Sequence, residues 1–145
     1  MAKILALDLG TKTLGIAISN DEQNLALRHE QFNFRVGNYR AAREKVIAVA
    51  SENNIKDIVI GYPLHEDGHE GERTASVDRF IDDINKINPD LNFIKVDERY
   101  STIEANERLA NLGYNTYKRK EVVDMWAAQV ILETYLARLM EQNNG

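Results

Sequence analysis

No cysteine occurs among the 145 residues. That excludes a disulfide scaffold, a cysteine zinc site and a thiol nucleophile. No apolar run approaches the roughly 20 residues that span a bilayer. Met1-Ala2-Lys3 leads into a short apolar run that meets Asp8 at once, which is not the pattern of a signal peptide. A cytoplasmic protein is therefore expected. Positive charge is in the minority, with 18 Lys and Arg against 23 Asp and Glu and a formal net charge of −5. Such a balance disfavours unspecific coating of nucleic acid, yet it permits a local basic groove. No repeat or low-complexity segment is visible. With 43% hydrophobic and 28% charged residues the composition is ordinary for a globular chain. The length suits one domain with one core, taken as residues 1–145.

Hydrophobic periodicity divides the chain. Residues 3–9 and 14–19 read as two strands joined by a turn at Gly10-Thr11-Lys12-Thr13. A third strand is expected within 25–34. Residues 39–53 have helical spacing, with Ala42, Val46, Val49 and Ala50 on one face. Asp57 to Ile60 is a β-branched run closed by Gly61. Residues 65–73 are polar and glycine-bearing, hence a surface loop. Thr74 to Lys86 reads as a helix with Val77, Phe80, Ile81 and Ile84 inward, stopped by Asn88-Pro89. Leu91 to Val96 is a further strand. Ser101 with Glu104 has the spacing of a capping box for a third helix, which Asn111-Leu112-Gly113 ends. Residues 121–141 form the last helix. The order β-β-β-α-β-α-β-α-α predicts an α/β fold: three antiparallel strands, then parallel crossover strands, in a mixed sheet with helices on both faces. This is the RNase H-like arrangement.

Four places could carry chemistry. Asp8 interrupts an apolar strand, where a carboxylate needs a donor, a cation or solvent. It fits a metal ligand at the strand's end, and equally a turn-forming Asp capping Gly10-Thr11. In the turn that follows, Gly10 allows close backbone approach to a phosphate, Thr11 and Thr13 can donate, and Lys12 adds positive charge. A sugar-kinase or actin-type ATPase could use such a hairpin, but its site lies between two such domains. Asp97-Glu98-Arg99 ends the later strand. Alternation sets Glu98 with Ile94 and Val96, and Asp97 with Phe93 and Lys95, so one acid faces any given site. Arg99 suits a phosphate through its planar fork, or an ion pair with its neighbours. Asp124 shares a helical face with Ala128, Ile131 and Tyr135. It fits a site residue, or an early-turn Asp favoured by the helix dipole. Lys118-Arg119-Lys120 just before it fits nucleic-acid backbone or a solvated loop.

The joint pattern says more than any member. Three acids distant in sequence fall at two strand ends and on the last helix. Clustered carboxylates repel, and divalent cations such as Mg²⁺, which prefer oxygen, offset that repulsion. Two such ions can activate a water and stabilise the leaving oxygen of a phosphodiester. His65 and His69 do not make a helical metal pair, because Gly68 lies between them. Arg73, at the end of that loop, is placed to touch substrate.

Asp8-Leu9-Gly10-Thr11-Lys12, Gly61-Tyr62-Pro63-Leu64 with Asp67-Gly68, Asp97 through Thr102, and Val123-Asp124 with Ala127-Ala128 together resemble the bacterial YqgF family, also called RuvX. Its members are described as pre-16S rRNA nucleases and as Holliday junction resolvases. The resemblance runs from Lys3 to about Leu136. It implies an RNase H-like, Mg²⁺- or Mn²⁺-dependent nuclease acting in the cytoplasm on the 5′ end of 16S rRNA. By position, the catalytic and metal-holding acids are Asp8, Glu98 and Asp124. Substrate contacts are expected from Gly10, Thr11, Lys12, Arg73, Arg99, Ser101, Thr102, Lys118 and Lys120. Tyr62 stands where the family usually has Leu, and His65-Glu66 where it has Asn and an apolar residue. The rival expectations are a DNA junction resolvase of the same fold, and a non-catalytic RNA-binding ribosome assembly factor. Either a monomer or a homodimer fits the sequence; a resolvase would need two copies to nick two strands.

Overall fold

The computed structural model describes residues 2–64, 68, 70–98 and 101–144. The hairpin read from the first apolar runs forms as β1 (Leu5–Leu9) and β2 (Thr13–Ser19), followed by β3 (Ala26–Asn33). Helix α1 (Tyr39–Glu52), β4 (Asp57–Tyr62), α2 (Glu72–Ile87), β5 (Asn92–Asp97), α3 (Ser101–Asn111) and α4 (Thr116–Asn144) complete the order. The strands lie side by side as β3-β2-β1-β4-β5. β1 pairs antiparallel with β2 and parallel with β4, and β4 pairs parallel with β5. The mixed sheet with helices on both faces is as the sequence predicts.

β1 is central, and all five of its residues are buried. Its odd positions, Leu5, Leu7 and Leu9, join Val46, Val49, Phe80 and Ile84 of α1 and α2 on one face. On the other face Ala6 meets Ala128, Ile131 and Leu132 of α4. Each large aliphatic side chain so removed from water contributes about 1.5–3 kcal/mol before entropy is counted. The small residues on the α4 face are what let that helix lie close.

Three boundaries depart from expectation. Helix α2 starts at Glu72 rather than Thr74, so Arg73 lies in its first turn and not in the preceding loop. Helix α4 starts at Thr116, not 121, because Asn115 caps it: the Lys118 N–H donates to Asn115 Oδ1 at 2.8 Å. The Lys118-Arg119-Lys120 run is therefore helical rather than a loop. Asp124 lies two turns inside the helix, beyond the reach of the helix dipole. Ser101 is the first residue of α3 rather than its cap; its hydroxyl donates to the Glu98 carbonyl at 3.0 Å, while Glu104 pairs with Arg108 at 3.6 Å. Gly113, at φ 90°, stops α3 where the sequence places the stop. Tyr62, the unusual residue of its motif, points to the α2 side and donates to Asp78 Oδ2 at 2.9 Å, with Lys95 on the other oxygen at 2.6 Å.

Candidate active site

Strand alternation fixes the first acid. Asp8 follows Ala6 in period two and so faces α4 rather than the α1–α2 core. It is 6% exposed and caps no turn; the Gly10 N–H is satisfied by the Thr13 carbonyl at 2.8 Å. Glu98, 9% exposed, comes from just past β5 on the side of Val96. Asp97 is exposed and lines a separate hollow with Glu104 and Thr134. The facing argument thus separates the two adjacent acids.

Strand β4 lies between Asp8 and Glu98. Two strand spacings are about 10 Å, so the Glu98 carboxylate must pass over β4 to reach Asp8. Gly61 is what it passes over: a Cβ there would stand 2.5 Å from Glu98 Oε2 and 2.8 Å from Ile131 Cδ1. On the other flank Asp8 pairs with Gly15 of β2. A Cβ on Gly15 would fall 1.9 Å from the Asp124 carbonyl oxygen. The missing side chains of two glycines therefore admit Glu98 from one side and the α4 backbone from the other. Asp124 is held in place by several bonds. The Thr13 hydroxyl donates to Asp124 Oδ2, and Gln31 of β3 accepts from the Met125 N–H at 3.1 Å. Arg28 stacks 3.9 Å over Trp126.

Gly61→Ala is expected to leave the fold standing, at a cost of about 1–2 kcal/mol, because Glu98 and Ile131 can swing aside. The same swing misplaces the carboxylate, so whatever activity the site supports should fall on the order of 10²-fold. A thermal melt beside an activity assay checks this; equal small losses in both would show that the passage over β4 is unimportant.

Asp8, Glu98 and Asp124 line one open cleft of about 290 Å³, with Gly10, Arg73 and Thr102 around them. Burial raises the Asp8 pKa well above the usual carboxylate value, and Glu98 and Asp124 push it further, while Arg73 pulls it down. Burial also raises Glu98, opposed by the hydrogen bond from Asp8, by Arg73 and by Ser101. Ionising both carboxyls side by side is therefore disfavoured, and the direction is that Asp8 keeps its proton more readily than a free carboxyl. Arg73 reaches in from α2 and donates to the Leu9 carbonyl at 3.3 Å.

The remaining sequence candidates divide. Lys12 and Lys120 line a second hollow that also includes Asp124. Lys118 and Thr11 are exposed, with the Thr11 carbonyl accepting from Gly37 N–H at 3.1 Å. Ser101 is buried beneath Glu98. Arg99, His65, Asp67 and His69 lie outside the described residues. Sequence reading missed the bond from Thr13 to Asp124, having offered that hydroxyl to a phosphate, and did not see what Gly15 and Gly61 do.

The comparisons with known proteins agree with this geometry. The model of one protein family, RuvX, described as "Holliday junction resolvase", matches residues 2–138. The chain belongs to the RuvX family. A Mesomycoplasma hyopneumoniae protein named "Putative pre-16S rRNA nuclease" is 39% identical over 134 residues, covering 92% of this chain and 93% of its own. A protein of the same description from Malacoplasma penetrans is 36% identical, covering 94% of each chain. Among solved structures, Thermus thermophilus RuvC in complex with a Holliday junction aligns with a TM-score of 0.59 at 10% identity, covering 97% of this chain and 96% of that one. A fowlpox virus resolvase with its Holliday junction aligns with a TM-score of 0.57 at 14% identity, covering 94% and 98%. These two likenesses establish the RNase H-like fold.

In this RuvX family member the donor set fits a hard divalent cation. It offers carboxylate oxygens only, and a dication would offset the repulsion that opposes ionising Asp8 beside Glu98. Among the described residues no three acidic or histidine side chains form a closed ligand group. Since Asp8 and Glu98 are in contact, the outlying member is Asp124, its carboxylate engaged by Thr13. Among the described residues no helix is long and apolar enough to cross a membrane.

Proposed function

We propose that this chain is a cytoplasmic, divalent-cation-dependent endonuclease that hydrolyses phosphodiester bonds in structured RNA, with precursor 16S rRNA as its substrate. The observation that carries the reading is that two buried carboxyls, Asp8 and Glu98, line one solvent-open cleft together with Asp124. A like-charged pair in that position costs stability, and it has a use once a cation is shared. The substrate named for the curated relatives supports RNA as the target.

Asp8 and Glu98 would hold Mg²⁺ or Mn²⁺, with Asp124 joining once it leaves Thr13. When bound, the cation supplies Lewis-acid stabilisation of phosphate charge and a lowered pKa for water. Arg73 stands beside both acids and would meet a phosphate oxygen at the cleft wall. Lys12, Lys118 and Lys120 would fix the position of the backbone without reading its sequence. Gly10 and Thr102 shape the opening. Ser101 acts through Glu98, whose backbone carbonyl its hydroxyl holds. Arg99, by its place in the motif, would add a further phosphate contact.

The test is cleavage of precursor 16S rRNA and of a DNA four-way junction, each with and without Mg²⁺. RNA cleavage that depends on the cation is expected. The family description favours the junction as a second reading, which would win if the junction alone were cut, by a dimer. Cleavage of neither would leave the RNA-binding assembly factor.

A pH dependence follows from the proton that Asp8 retains. Cation binding must expel it, so affinity should rise as pH climbs through the raised Asp8 value. The sign for folding is the reverse. A carboxyl raised in the folded state gives stability that is complete below its ordinary value of 3.8 and lost as pH rises through the raised one. In chelator the melting temperature should therefore fall as pH rises above the ordinary carboxylate value, and Mg²⁺ should restore it. A flat profile in chelator would contradict the retained proton.

A further inference from the structure

Beside the carboxylate cleft lies a larger groove of about 760 Å³, and Asp124 lines both. One wall is Lys12 with Asn33 and Phe34 at the end of β3; the other is Tyr117, Lys120 and Glu121 on the opening turns of α4. In a chain of net charge −5, this wall places two lysines against one glutamate outside the shared acid. Phe34 is a fixed wall, stacked 6.2 Å from Phe32 and tilted against Tyr39 at 5.9 Å. Tyr117 is 76% exposed, so its ring stands in water at the groove rather than packing the core.

Lysines alone would hold a paired or an unpaired backbone equally well. An aromatic face is different. In a duplex the bases are stacked on one another, and a ring can reach a base face only where the strand is unpaired.

We propose that this groove binds an unpaired segment of the nucleic acid running away from the scissile phosphate, with a base stacked on Tyr117 and backbone phosphates on Lys12 and Lys120. The inference rests on the nuclease reading and extends it: the substrate is a structured RNA with a single-stranded flank next to the cut. The groove opens from the same Asp124 that lines the cleft, so one strand can occupy both.

The test measures binding, not cleavage. Fluorescence anisotropy in chelator and low salt compares a labelled RNA hairpin carrying an unpaired oligouridine tail with the same hairpin made blunt. The tailed probe should bind about tenfold tighter, the scale of one stacked base. Tyr117→Ala should lose that preference and leave the blunt probe unaffected, while Tyr117→Phe keeps it. Lys120→Ala should weaken both probes and reduce the salt slope by about 0.7–0.9. Tyr117 is exposed, so the variants should fold, and circular dichroism checks that they do. Equal or undetectable binding of the two probes, or a Tyr117→Ala loss shared by both, would overturn the proposal. A tail preference without cleavage would count against the nuclease reading alone; cleavage without the preference would count against the groove alone.

Discussion

Gly15→Ala should destabilise the protein by about 3 kcal/mol, at the upper end of what overpacking costs, and lower its melting temperature by roughly 10 °C. The reason is what a Cβ would meet. Its nearest neighbours are the Asp124 carbonyl oxygen at 1.9 Å, the Asp124 carbonyl carbon at 2.2 Å and the Met125 nitrogen at 2.7 Å. All are backbone atoms in mid-helix, and no rotamer change relieves them. Helix α4 must lift from β2, opening contacts around the buried Ala128, Ile131 and Leu132. Asp124 moves with it, so activity should be lost along with stability. Gly61→Ala, which meets side-chain ends, should separate the two effects. A melting temperature for Gly15→Ala within 2–3 °C of wild type, a shift worth under about 1 kcal/mol, would show that the close approach of α4 is not built on this glycine.

Asp8→Asn should abolish cation-dependent cleavage, by on the order of 10³-fold or more, comparable with the removal of a principal electrostatic group from an active site. It should also make the cation-free protein more stable. Asp8 is buried, and burial followed by Glu98 and Asp124 makes its charged form costly. An amide of the same shape can still donate to Glu98 and carries no charge. The gain should appear as a higher melting temperature than wild type at neutral pH, where the costly charged form of Asp8 would otherwise be demanded. Mg²⁺ should narrow the gap by stabilising the wild type alone. Unaltered cleavage by Asp8→Asn would remove the acid from the mechanism; a lower melting temperature in chelator would remove the account of its electrostatic cost.

Much of this was legible in the sequence because the cues were local. The apolar run around Asp8, the helical spacing of Val46 and Val49, and the stop at Gly113 each state a local structure. Period-two alternation put Glu98 and Asp97 on opposite sides without saying which side holds the site; the choice of Glu98 came from the family resemblance. The start of α4 was not read, because Asn115 lies in a polar stretch whose capping role shows only once the Lys118 N–H turns onto it. The Thr13–Asp124 bond joins residues 111 apart in sequence, and no pattern within one element announces it. The glycines were visible as residues but not as spaces. Gly15 and Gly61 matter for what lies opposite them in the third dimension, and that depends on α4 and β5 being in place.

The most direct measurement of the central claim is calorimetric titration of Mn²⁺ into the wild-type protein, Asp8→Asn and Glu98→Gln. The account predicts saturable binding in the wild type, accompanied by proton release, and its loss in both variants. Undiminished binding in the variants, or no binding to the wild type at all, would contradict it.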